Sequence, residues 1–87
     1  MHHTEVLREL IILKDVSVSA MAKRLKKYSH AVILHSLHAR DTSFVNLIEI
    51  LGEMDYELVI RRKREGNLPD GEYAMRRADY ENWEVPQ

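Results

Sequence analysis

With 87 residues, a formal net charge of −1 and no cysteine, the chain has room for one small domain and none for a disulfide framework or a thiolate metal site. No apolar run approaches the roughly 20 residues that span a bilayer, and the start of the chain lacks the basic-then-apolar layout of a signal peptide, so the expected location is cytoplasmic. The near-neutral total hides a local imbalance. Between Val16 and Arg40 there is no Asp or Glu, while Lys23, Arg24, Lys26, Lys27, Arg40 and three of the five histidines fall in or at the edge of that stretch. Such a one-signed surface concentrates phosphate and gains affinity by releasing counterions, which points to a polyanion partner. The plain alternative is a solvated helix face.

From Thr4 to Lys14, Val6, Leu7, Leu10, Ile11 and Leu13 recur at helical spacing, and Thr4 is placed to cap a first helix. His2 and His3 before it read equally as native residues or as an addition to the chain. Asp15 and Val16 make a tight break. Ser17 then stands as an N-cap before a short second helix with Val18, Met21, Ala22 and Leu25 inward and Lys23, Arg24 and Lys26 outward. A turn through Lys27 and Tyr28 reaches Ser29, a second cap, and His30 to His38 reads as a third helix buried through Ile33 and Leu37. Ser43 caps a fourth helix whose apolar stripe is Phe44, Leu47, Ile48, Leu51 and Met54.

Beyond Met54 the period changes. Tyr56, Leu58 and Ile60 alternate with Glu57, Val59 and Arg61 and predict a strand. Gly66, Asn67, Pro69, Asp70 and Gly71 supply turn residues, and Glu72 to Arg77 is expected to pair back as a second strand of a β-hairpin. An acidic tail with Asp79, Glu81 and Glu84 follows, and Tyr80, Trp83 and Val85 give it apolar area with which to dock. The expected organisation is a helical unit over 1–55 and a hairpin with its tail over 56–87, a mostly α fold of four to five helices ending in β structure.

Two short helices separated by a turn, the second flanked by cations, and a longer amphipathic helix closing them are the layout of a helix-turn-helix. Ser17, Met21, Ala22, Leu25, Ser29, Ile33, Ser43, Leu47, Ile48 and Ile50 resemble, in order, the Xre or Cro and lambda-repressor-like family, over about residues 4 to 55. "MDYELVIRRK" from Met54 to Lys63 looks like the strand that ends many short repressors of phages and mobile elements. Lys26 stands where the family commonly has Gly.

The resemblance implies a DNA-binding repressor or autoregulator of a phage or mobile-element operon. Ser29, His30, Ala31, Leu34 and His35 would enter the major groove, and Lys23, Lys26, Lys27, His38 and Arg40 would hold phosphates. The third helix contains no Arg, Asn or Gln, the side chains that supply most bidentate base pairing, so readout would rest on histidines and on apolar contact with thymine methyls. One module of this size buries little DNA surface, which predicts a homodimer on palindromic half-sites, with Val59, Tyr73, Met75 and Trp83 as candidate interface residues. The alternative is the same scaffold turned to protein binding, as an antitoxin, antirepressor or nuclease inhibitor, with Ala31, Val32 and Leu34 as an apolar anchor. Arg61, Arg62, Lys63 and Arg64 form a second basic cluster, expected to pair with Glu65, Glu72, Asp79 or Glu81 or to touch flanking phosphate. His35 and His38 lack a third metal ligand at motif spacing, and no nucleophile elbow, phosphate loop or paired ligand motif organises catalysis. The expectation is a non-enzyme without cofactor or metal.

Overall fold

The computed structural model describes residues 1–26 and 30–84. Helix α1 (His3–Leu13) begins two residues earlier than a Thr4 cap would place it, because His2 is its cap. The imidazole of His2 accepts from the Thr4 amide at 3.2 Å, and the His2 amide donates to Glu5 Oε1 at 3.2 Å, so two of the otherwise unpaired amides of the first turn are satisfied reciprocally. Thr4 is buried behind them. Val6, Leu7 and Leu10 form the inward stripe of the helix, and Asp15, at φ 51, turns the chain out of it.

Ser17 caps α2 (Val18–Leu25) by accepting from the Ala20 amide at 3.3 Å, and Ser43 caps α4 (Phe44–Gly52) by accepting from the Asn46 amide at 2.9 Å. Between them, α3 (His30–His38) packs against α1, α2 and α4 and is the central helix of the bundle. The core therefore gathers Val6, Leu7 and Leu10 with Met21, Ile33 and Leu37, and with Leu47, Ile50, Leu51 and Met54. In α4 the buried stripe is rotated from the expected one: Ile50 is fully buried while Phe44 and Ile48 face solvent.

The C-terminal part departs from the expected β-hairpin, and no strand occurs among the described residues. Residues 57–63 form neither helix nor ladder. Gly66 and Gly71 do adopt positive φ, and a turn closes through Glu72 N–H to Pro69 O at 3.1 Å. What joins the two segments is side-chain chemistry: Arg61 pairs with Glu72 at 2.9 Å, and an Arg76 guanidinium N–H donates to the Arg64 carbonyl at 3.1 Å. The physical reason is competition for the apolar face. Tyr56, Leu58, Tyr73 and Met75 all lean on the helical core, and the second segment ends in a helix, α5 (Arg77–Glu81). The mostly α class holds with five helices among the described residues. None of these helices is long and apolar enough to cross a membrane.

Candidate nucleic-acid interface

The acid-free stretch maps onto α2 and α3. Lys23 and Arg24 lie exposed in the last turn of α2, where cations also complement the helix dipole. Lys26 caps the helix with φ 54 and ψ −39 and donates its amide to Ala22 O at 3.2 Å. Side chains with a Cβ disfavour this backbone region, and the position is the one where the resembled family commonly carries Gly. Among the described residues, Lys23 and Lys26 make no ion pair, whereas Arg24 is held by Glu53 of the α4 C-terminus at 2.8 Å. Lys27 and Ser29, expected to hold phosphate and to cap α3 beside a base, lie outside the described residues.

On α3, His30, Ala31, His35 and His38 are exposed. Ala31, His35 and His38 follow i, i+4, i+7 spacing and so form one narrow ridge. Leu34, expected to reach into a groove, is half-buried and packs against the core. Val32 is half-buried too, so the apolar row proposed as a protein anchor is reduced to Ala31. Beyond the helix, Arg40 is exposed, and among the described residues its guanidinium makes one long ion pair, 3.4 Å to its neighbour Asp41. Ser36 is buried and shares a 2.8 Å hydrogen bond with Thr42, which fixes the α3–α4 connection.

Three of the four candidate dimer residues are taken up by the chain itself. Tyr73 packs on the core with its ring 6.2 Å from that of Tyr56, Met75 Sδ accepts from the Tyr80 hydroxyl at 3.6 Å, and Trp83 stacks on His2. Val59 alone stays exposed, beside Ile60.

A feature not anticipated from the sequence is the aromatic cluster that closes the fold around His2 and His3, both buried. The Nε2–H of His2 donates to the Arg40 carbonyl at 3.0 Å, and its Nδ1 accepts from Thr4, which sets the neutral tautomer. Tyr80 lies 4.2 Å and Trp83 4.5 Å from the His2 ring, centroid to centroid. The His3 amide donates to the Tyr80 hydroxyl at 3.0 Å, and His3 Nδ1 lies 2.9 Å from the same oxygen. Its Nε2 is buried without a hydrogen-bond partner among the described residues. Burial lowers the pKa of both imidazoles, that of His3 to about 4, with the neighbouring His2 adding to the effect. The terminal ammonium of Met1 completes the clasp by bonding Asp79 at 2.9 Å and the Ala74 carbonyl at 2.6 Å. Local periodicity carries no trace of contacts between residues about eighty positions apart. The only sequence signal was the apolar content of the tail.

Among the described residues no group of three or more His, Asp or Glu side chains is placed to hold a metal ion. No family model, curated protein or solved structure matches this chain.

Proposed function

We propose that the chain is a sequence-specific, double-stranded-DNA-binding repressor or autoregulator that works in the cytoplasm as a homodimer. The observation that carries this reading is the outer surface of α2 and α3, where Lys23, Lys26, His30, Ala31, His35 and His38 are exposed and the local sequence supplies no carboxylate. Lys23, Lys26, His38 and Arg40 hold phosphates. His35, in the middle of the ridge, is the principal base-reading side chain, with Ala31 against a thymine methyl. The module is neither an enzyme nor cofactor-dependent, and a phage or mobile-element operon is the expected setting. Two copies would place their ridges on half-sites about one helical turn, roughly 34 Å, apart.

Selection of bound fragments from random DNA, followed by gel shift on the enriched sequence, tests the reading. Symmetric half-sites and retention that falls steeply with salt are expected. Lys26→Ala should weaken binding to all sequences, and His35→Ala should weaken the enriched site more than random DNA. Absence of salt-sensitive retention of any duplex would exclude the proposal. The protein-binding alternative has less to support it, since Leu34 packs on the core and Val32 is half-buried.

A further inference from the structure

Phe44 and Ile48 of α4 and Val59 and Ile60 of the segment after it are exposed apolar side chains that border one shallow cleft, and Ile60 is 97% exposed. This last value is anomalous for its place. Tyr56 and Leu58 are half-buried against the core while Glu57 and Val59 between and after them are exposed, the two-residue alternation of an extended chain, and Ile60, next on the Tyr56–Leu58 side, has no place in that core. The amides and carbonyls of residues 57–63 make no backbone hydrogen bond among the described residues. A β-branched, unpaired, extended segment with apolar residues on both faces is an open edge for another strand.

We infer that this edge is covered by the same segment of a second copy, paired antiparallel about Val59. The register follows from charge. With Val59 opposite its own twin, Glu57 of each copy lies opposite Arg61 of the other, and Leu58 lies opposite Ile60. Both ends of the ribbon then carry an opposite-charge pair, and the overhanging Ile60 lands beside the partner's half-buried Leu58, extending that protomer's core. A shift of two residues in the pairing partner would set Glu57 against Val59 or against Lys63 and lose the symmetric Leu58–Ile60 match. Arg61 already holds Glu72 at 2.9 Å, and its guanidinium has donors to spare for a second carboxylate. The second copy is favoured over an unrelated peptide because the segment is its own complement in both charge and hydrophobicity. The inference deepens the two-copy reading above and rests on it, but replaces Tyr73, Met75 and Trp83 with Glu57, Leu58, Ile60 and Arg61 alongside Val59.

The test is sedimentation equilibrium of the full chain without DNA. The parent protein should dimerise. E57R and R61E should each weaken association by about tenfold or more, because each sets two like-charge pairs face to face in a homodimer. Mixed in equal amounts they should associate as strongly as the parent, since a heterodimer restores opposite charges at both ends. That rescue cannot come from the internal Arg61–Glu72 pair. Ile60→Lys should abolish dimers while leaving helicity by circular dichroism unchanged. A parent chain that stays monomeric, or single variants that dimerise as well as the parent, or a mixture that shows no rescue, would overturn the inference. Salt-sensitive DNA retention by a monomeric chain would leave the DNA reading standing, and a rescued dimer that retains no DNA would remove that reading alone.

Discussion

The His2 imidazole lies stacked on the Trp83 indole, with centroids 4.5 Å apart and planes 14° from parallel, so one ring both caps α1 and forms the seat for the last aromatic residue of the described chain. His2 reaches the α3–α4 connection as well, through the Arg40 carbonyl. The position of the α3 ridge is in this way coupled to the C-terminal segment. Loosening the clasp should therefore act on stability first.

Trp83→Ala should destabilise the chain by about 2 kcal/mol, below the full cost of a buried Trp because the residue is half-exposed. Tyr80→Phe removes the hydroxyl that His3 and Met75 share and should cost about 1 kcal/mol. Urea unfolding followed by circular dichroism measures both, and limited proteolysis should cut first between Gly66 and Arg77 in the Trp83 variant.

Stability should also fall with acid in a defined window. His3 is buried neutral with its pKa lowered to about 4 from 6.5, and burial lowers that of His2 as well. The unfolded chain thus takes up protons that the folded chain refuses, so the contribution of these imidazoles is complete above about pH 6.5 and is lost progressively as the pH falls toward 4. At its greatest the His3 contribution is on the order of 3 kcal/mol. Asp79 acts in the same direction at lower pH: its pKa is lowered by the Arg76 amide and by the terminal ammonium, and the stability this brings is lost as acid protonates the carboxyl. Urea midpoints of the parent between pH 7.5 and 4 should decline, and His3→Gln, less stable at pH 7.5, should show a flatter profile. Equal slopes for the two chains would exclude His3 as the source.

The first fifty-five residues were legible because their signals are local. Ser17 and Ser43 cap the helices that follow them, and Ile33 and Leu37 are buried as the 3.6-residue period requires. Beyond them, Arg61 pairs with Glu72, one of the carboxylates expected for it. The misreadings arise where tertiary contacts decide. Thr4 has the side chain that favours a cap, yet His2, seated against Tyr80 and Trp83, takes the role. Tyr56–Arg61 has strand composition, yet its apolar face is claimed by a helical core that no local pattern reveals. Ile50 displaces Ile48 from the α4 stripe by a rotation that depends on how α3 packs. For the candidate interface, exposure of Lys23, Lys26 and His35 agrees with the sequence, and Leu34 shows the limit: it belongs to the helix face turned toward the core.

On the proposed DNA-binding reading, Glu53 would compete with phosphate for Arg24. Their exposed 2.8 Å pair contributes about 0–1 kcal/mol to folding, so Glu53→Gln should leave the unfolding midpoint nearly unchanged. It frees a guanidinium beside Lys23 and removes a negative charge from the rim of the interface. Affinity for the enriched duplex should rise several-fold at low salt, with a steeper salt dependence by up to about one counterion. A gel-shift titration at several salt concentrations measures both, and unchanged affinity would place Arg24 away from the phosphates.

Lys26 is asked to do two things that oppose each other. Its backbone, at φ 54, suits glycine, while its ammonium is one of the two α2 cations without an ion pair among the described residues. Lys26→Gly should relieve about 1 kcal/mol of backbone strain and raise the thermal midpoint by a few degrees. The same substitution should weaken binding to specific and random duplexes alike, because a phosphate contact carries no sequence information. Lys26→Ala separates the two effects: it loses the charge, keeps the Cβ, and should bind DNA as poorly as the glycine variant without its gain in stability. A glycine variant that is both less stable and fully competent for DNA would remove strain and phosphate contact together from the account of this residue.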